Sequence, residues 1–419
     1  MQRTFARLGL GYTMTLPDIA TELTIRFVRR TRGEVHGELT VTCGLPFTKS
    51  TDGHLHQANL NISGSEARGR LATTLGRRAN LGDAIDWVDV LEDFCRRVLA
   101  AEREGEPITK VGAMPIALGA ETYRLDPMLP LDQGAILYGD GGTGKSTLAA
   151  AIAVSVQTGV TLIDGFIPRQ APVLYLDWEA SEQSLNRRVR GVASGAHIPK
   201  VVTIDYRPCR RSGPLHTFAE ALAQDVDREG YGLVVVDSAG MAAGLGSEGG
   251  DANEVAIRLF TAIGFLGTTV LVIDHVNKAD ASDEHRKTRP YGSVYKGLLA
   301  RATWELRLNR NNGASFIGLY NTKVNDAEEK PPISLQVMHE DDGAIRYERL
   351  ASLPVELTRH LTQRDQIAAA LRHLGHLTVE EIASETGLAD NKIRTVLHRY
   401  GEQFNKLASG KWEVLVRAS

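Results

Sequence analysis

Residues 139–147 read Gly-Asp-Gly-Gly-Thr-Gly-Lys-Ser-Thr, the G-x-x-x-x-G-K-[ST] spacing of a phosphate-binding loop. Gly139, Gly141, Gly142 and Gly144 let successive backbone N–H groups turn toward an anion, with Asp140 and Thr143 between them. Lys145 brings a point charge for β- and γ-phosphate oxygens, Ser146 offers a hydroxyl to Mg²⁺, and Thr147 completes the motif. The chemistry implied is binding of a nucleoside triphosphate, ATP by default, with Mg²⁺.

Two further carboxylates extend that chemistry. Asp237 ends the run Gly-Leu-Val-Val-Val-Asp, and at the C-terminal edge of a strand beside the loop it would hold Mg²⁺ through water. The run Val-Leu-Tyr-Leu-Asp at 173–177 delivers Glu179 just past its end, while Ser238 takes the position directly after Asp237. Glu179 reads either as the base that positions a hydrolytic water or as the cap of a helix opening near Ser181, and Asp177 is its nearest competitor for the catalytic role.

These residues need a sheet to hold them. Apolar runs at 135–138, 173–177, 201–206, 232–237 and 269–274 alternate with helical patterns, the first of them at 148–156, which indicates a parallel sheet buried on both faces. Runs at 315–321, 333–338 and 344–350 then read as antiparallel strands closing the domain. Upstream, 23–44 reads as a β-hairpin and 63–76 and 83–104 as helices, the second with an apolar stripe through Val88, Leu91, Phe94 and Val98 and with Asp83 as N-cap. Arg26, Arg29, Arg30 and Arg32 fit either a solvated strand face or a nucleic-acid face. A Gly-, Pro- and charge-containing link at 104–119 separates the two regions.

Together these motifs resemble the RecA-like family of plasmid and phage replicative ATPases, the RepA type of hexameric helicase, over roughly residues 118–350. The resemblance rests on the phosphate loop, on Leu-Tyr-Leu-Asp-Trp-Glu-Ala-Ser followed by Arg187 and Arg188, on Val-Val-Val-Asp-Ser followed by Asp251 and Asn253, and on Val-Ile-Asp-His-Val-Asn-Lys at 272–278. It implies that Glu179 is the catalytic base and that His275 senses the γ-phosphate. It also implies that a basic residue after Gly292-Ser293, either Lys296 or the better-matching Arg301, reaches the nucleotide of a neighbouring subunit. A homo-hexameric ring follows, with Arg286, Lys287 and Arg289 in a loop presented to single-stranded DNA or simply solvated.

At the C-terminus Thr378 and Glu381 form a capping box, Gly387 marks a tight turn, and a second helix follows at 390–400, with strand-like runs at 404–407 and 412–416. That pattern resembles a winged helix-turn-helix, whose second helix would present Lys392 and Arg394 to duplex DNA while Lys411 in the wing meets phosphate; a protein-contacting winged helix has the same pattern.

The expected fold is therefore α/β: an N-terminal α+β module (1–104), a RecA-like P-loop core (118–350) and a winged helix-turn-helix domain (360–419). A hydrophobic share of 42% over 419 residues suits several buried cores, and no stretch reads as a secretory signal or membrane span, so a cytoplasmic protein without a membrane partner is expected. The three cysteines, Cys43, Cys95 and Cys209, are too scattered for a disulfide framework or zinc site and read as buried thiols. The leading functional expectation is a replicative DNA helicase driven by ATP. The alternatives are a DNA-binding regulator controlled by ATP, and a recombination or defence ATPase whose N-terminal module recruits a partner protein.

Overall fold

The computed structural model describes residues 2–415 except 9–10, 32, 47, 51, 106–107, 109, 111, 113–121, 245–250, 277–287, 312–313, 326–329, 352, 355–356 and 359–360. It divides into two units, Met1–Ile116 and Ala117–Ser419.

In the first unit β1 (Thr4–Leu8), β2 (Gly11–Leu16), β3 (Thr21–Thr31), β4 (Glu34–Cys43) and β5 (His54–Asn61) form an antiparallel sheet in chain order. Alternation makes it one-sided: Val35, Gly37, Leu39, Val41 and Cys43 of β4 are buried, and the residues that alternate with them are not. Helices α1 (Ser65–Ala79) and α2 (Trp87–Glu104) cover the apolar face with Leu71, Leu75, Leu91, Phe94 and Val98. The hairpin expected at 23–44 is β3–β4, with Leu23 opposite Val41. The expected cap of α2 is corrected: the helix begins at Trp87, and Asp86 rather than Asp83 is its N-cap, accepting from the Val88 and Asp89 N–H groups at 3.0 and 3.1 Å.

In the second unit β6 (Tyr123–Asp126), β7 (Leu129–Pro130) and β9 (Ile167–Pro168) form a small sheet of their own. The main sheet has nine strands: β8 (Gly134–Gly139), β10 (Val173–Asp177), β11 (Asp205–Pro208), β12 (Leu233–Asp237), β13 (Thr269–His275), β14 (Ala302–Asn311), β15 (Ala314–Val324), β16 (Ile333–His339) and β17 (Ile345–Leu350). Their order is β11-β10-β12-β13-β8-β14-β15-β16-β17, parallel as far as β14 and antiparallel beyond it.

The parallel strands are apolar at successive positions because helices cover both faces. Leu233 and Val235 of β12 pack with α3 (Lys145–Thr158) and α4 (Glu182–Gly195), whereas Val234 and Val236 pack with α5 (Ala219–Glu229) and α7 (Ala252–Phe265). Short helices α6 (Ala239–Ala242) and α8 (Val294–Leu299) follow β12 and precede β14. Strand β11 lies later than the expected 201–206: it is an edge strand whose register with β10 begins at Leu174↔Asp205, and Val201 is 92% exposed. Strand β14 is absent from the expected runs, although Ala302, Trp304 and Leu306 alternate with Thr303, Glu305 and Arg307.

Beyond the sheet, α9 (Gln363–Leu374), α10 (Val379–Thr386), α11 (Asp390–Arg399) and the hairpin of β18 (Phe404–Lys406) and β19 (Trp412–Val414) share a core of Ile367, Leu371, Ile382, Ile393, Leu397, Phe404 and Trp412. Thr378 and Glu381 form a reciprocal capping box on α10, and Gly387 ends that helix at φ +71°. Cys43, Cys95 and Cys209 are all buried and unpaired. Among the described residues no helix is long and apolar enough to cross a membrane.

Helix α4 crosses β17 so closely that a Cβ on Gly195 would stand 2.2 Å from the Ile345 carbonyl oxygen. Gly195→Ala is expected to cost about 1–3 kcal/mol of stability, read as a lower urea midpoint. Gly69→Ala, in open space on α1, is expected to gain about 0.5–1 kcal/mol.

Candidate active site

Strand β8 ends at Gly139, and α3 begins at Lys145 with Gly144 as its cap, so the intervening loop joins a buried strand to a helix N-terminus. Gly142 and Gly144 adopt φ +72° and +94°, the left-handed region open to glycine. Gly139 is required for a different reason: a Cβ there would lie 2.3 Å from the Leu306 carbonyl oxygen of β14. Thr143 pins the turn by donating its hydroxyl to the Asp140 carbonyl at 2.8 Å.

The buried Lys145 ammonium donates to the carbonyls of Gly139 at 2.9 Å and Asp140 at 2.6 Å. Burial lowers its pKa, and the carboxylates of Asp140, Asp237, Asp274 and Glu179 act in the opposite direction. Asp237 stands in register with Asp177 on the neighbouring strand, so both carboxylates reach the same sheet edge. Burial raises the Asp237 pKa, while hydrogen bonds from Tyr175, whose hydroxyl donates at 2.7 Å, and from Ser146 lower it. The contact between Ser146 and Asp237 puts a hydroxyl and a carboxylate side by side, a hard-oxygen donor pair that fits Mg²⁺.

Asp177 and Glu179 divide along clear lines. Asp177 is buried, and its Oδ1 accepts from the Glu179 and Ala180 N–H groups at 2.8 and 2.7 Å, so it shapes the turn that presents Glu179. Glu179 is exposed and its carboxylate accepts a hydrogen bond from the Ser238 hydroxyl. Capping of α4 belongs to Ser181, whose hydroxyl accepts from the Ser184 N–H, so Glu179 is not the cap. Ser238 and Tyr175 orient the two central carboxylates, and neither has a role among the expectations from sequence; their signal is a polar group within, or just past, an otherwise apolar run.

His275, exposed at the end of β13, lies in register with Gly139 and so faces the same edge as the loop. Asp274 beside it is buried and paired with Lys296 at 2.8 Å, both side chains being 2% exposed. Burial still pushes the Asp274 carboxyl above the usual range, with Lys296 opposing. Lys296 is thereby committed within its own subunit, which removes it as the residue reaching a neighbour. Arg301 is exposed and its N–H donates to the Gly134 carbonyl, at the opposite end of β8 from Gly139. That places it roughly 17 Å along the strand from the loop it follows in the sheet, apart from the other candidate site residues.

Arg286 and Lys287 lie outside the described residues, whereas Arg289 is exposed. Lys392 is exposed on α11, while Arg394 pairs with Glu380 at 3.3 Å and Lys411 with Glu381 at 3.5 Å, exposed pairs that contribute little to stability.

Residues 118–281 match the family described as AAA domain. A search of the curated proteins finds no match. Among solved structures, a KaiC-like protein from the hyperthermophilic archaeon Pyrococcus horikoshii OT3 is similar, with 18% identity, 53% of this chain and 94% of that chain covered, and a TM-score of 0.36. The family match over residues 118–281, the strand order and the loop geometry are those of a P-loop nucleotide-binding core.

The Asp274–Lys296 pair yields a direct test. Lys296→Met is expected to cost about 3–5 kcal/mol by leaving a buried carboxylate alone, and adding Asp274→Leu to recover most of it. A folded-state carboxyl whose pKa is raised above the unfolded value stabilises the fold when protonated, so the deficit of Lys296→Met should shrink between pH 8 and pH 5. Urea unfolding at the two pH values reads both effects, and a single variant as stable as the parent would remove the pair from the fold's support.

Proposed function

We propose that this RecA-like ATPase hydrolyses ATP to move on DNA as a ring, as a replicative helicase of a plasmid, phage or integrated element. The observation that carries the chemistry is Glu179, held by Ser238 at the strand edge where Lys145, Ser146 and Asp237 converge. Glu179 takes the proton of the attacking water, the role its exposure and its fixed carboxylate suit. Lys145 exchanges the Gly139 and Asp140 carbonyls for phosphate oxygens, and His275 meets the γ-phosphate from the adjoining strand. Ser146 and Asp237 would hold Mg²⁺, whose charge would offset that on the phosphates.

The placement of Arg301 at the far end of β14 from its own phosphate loop supports a role in a neighbouring subunit's site, where a guanidinium offsets charge on the transferred phosphoryl group. A homo-hexamer supplies such neighbours. On the DNA side, the basic loop carrying Arg286, Lys287 and Arg289 meets the single strand. The C-terminal helices and hairpin act as a winged helix-turn-helix with Lys392, Arg394 and Lys411 toward duplex. The N-terminal unit is left as a surface for a partner protein.

Three measurements test this reading. Lys145→Ala should abolish turnover, and Glu179→Gln should keep ATP binding while hydrolysis falls by about 10²–10⁴-fold; unchanged hydrolysis in Glu179→Gln would displace the base. Arg301→Ala should lose about 10³-fold or more of the ATPase rate and regain activity when mixed with Lys145→Ala subunits, provided subunit exchange is shown by labelling. ATP-dependent unwinding of forked DNA separates the helicase from a regulator that only binds DNA.

A further inference from the structure

The face of the main sheet opposite α3 borders a cleft along β14 and β15, where Thr303, Glu305 and Arg307 point away from the core formed by Ala302, Trp304 and Leu306. Helix α9 and the C-terminal end of α11 stand across from that face and enclose a cleft of about 1410 Å³. Pockets for small ligands run to about 1,000 Å³, so this space suits part of a polymer better than a metabolite.

Its lining is basic. Seven Lys and Arg side chains border it against three Asp and Glu. Two of the cations are matched locally, Arg307 by Glu305 at 2.6 Å and Arg364 by Asp365 at 3.0 Å. Lys323 is occupied by the carbonyls of Gly297, Leu298 and Ala300 at 2.9, 2.7 and 2.6 Å. Arg289 and Lys330 on the sheet side, and Arg372 and Arg399 on the helical side, make no ion pair among the described residues. Uncommitted charge therefore stands on both walls. Tyr400 lines the same cleft with the Arg364 guanidinium 5.4 Å from its ring centroid.

We infer that this cleft between the sheet and the C-terminal helices binds a single strand of nucleic acid, continuing from the loop contact at Arg289 and separate from the exposed face of α11. Guanidinium groups donate to phosphate oxygens in a fixed fork and stack on planar rings, and an aromatic side chain among cations gives bases a surface that reads no sequence. The occupant is a phosphodiester strand rather than an acidic polypeptide because the cleft offers a ring beside its cations. The inference rests on the DNA-directed reading of the ATPase, and the test below separates the two.

The full-length chain is titrated into a fluorescently labelled oligothymidylate at several salt concentrations, and binding is read by anisotropy. Arg372→Glu/Arg399→Glu is expected to weaken binding more than tenfold, and the neutral pair Arg372→Gln/Arg399→Gln to flatten the log–log salt slope by about 0.7 for each phosphate no longer neutralised. Tyr400→Ala should weaken binding by about tenfold. Arg190→Glu, the same charge reversal on α4 at the other face of the sheet, should bind as the parent does, and coincident thermal melting shows each variant folded. A parent that binds the oligonucleotide while all the cleft variants bind equally well overturns the cleft and leaves the DNA-directed reading standing. A parent that binds no single strand at low salt overturns both. Loss of duplex or polyglutamate binding, with single-strand binding intact, also overturns the assignment.

Discussion

A lysine ammonium buried at the end of an apolar sheet is the constraint on which the site depends. Desolvation disfavours the charge on Lys145, and it is tolerated because two backbone carbonyls and four carboxylates surround it. The carbonyls are available because strand β8 gives way to a tight glycine turn at Gly139, and that glycine is demanded by the approach of β14. The phosphate loop is thus fixed from the sheet side as much as from its own sequence: the backbone of Leu306 leaves room for no side chain at the position where the strand must stop.

The carboxylates at the ends of these strands are chemically alike and differ in environment. Asp177 spends one oxygen on the turn it creates, Asp274 is matched by Lys296, and Asp237 is buried against Tyr175 and Ser146. Glu179 is exposed, with its carboxylate oriented by Ser238, and Asp140 in the phosphate loop is exposed as well. Exposure and partner, rather than residue type, set these groups apart.

The phosphate loop, the strands ending in Asp177 and Asp237, and the helix after the loop are legible in the sequence because each is a continuous local pattern, and the strands and helix are buried on both sides. The misplaced β11 and Asp83 cap have one cause: the pattern near an element's end is ambiguous until pairing is known, and Asp83 and Asp86 both precede an apolar helical stripe. Strand β14 has a regular alternation that goes unread, because the residues after Gly292-Ser293 suggest a charge reaching another subunit before they suggest a strand period. Lys296 shows the reverse limit. Its spacing suits a residue that reaches outward, and only the fold brings it to Asp274, 22 positions away. Pairings of that kind carry no local signal.

The sheet edge bearing the phosphate loop and the basic cleft meet at β8. Tyr138, directly before Gly139, places its hydroxyl 3.2 Å from the Thr288 carbonyl and 3.3 Å from the Thr322 hydroxyl, both at the cleft wall, and burial raises its pKa to about 12 so that it stays a neutral donor. The Gly139 carbonyl accepts from Lys145 and also from the Val276 N–H at 3.3 Å, and Val276 bridges Pro290, the residue after Arg289. A route from phosphate to cleft therefore passes through a single carbonyl with two donors. Coupling between distant sites needs an element with two arrangements that both sites bias. The arrangement seen here is one of these, with the Lys145 ammonium on the Gly139 and Asp140 carbonyls. Val276 donates to the same Gly139 oxygen, so the phosphate loop and the segment bearing Arg289 share one backbone acceptor.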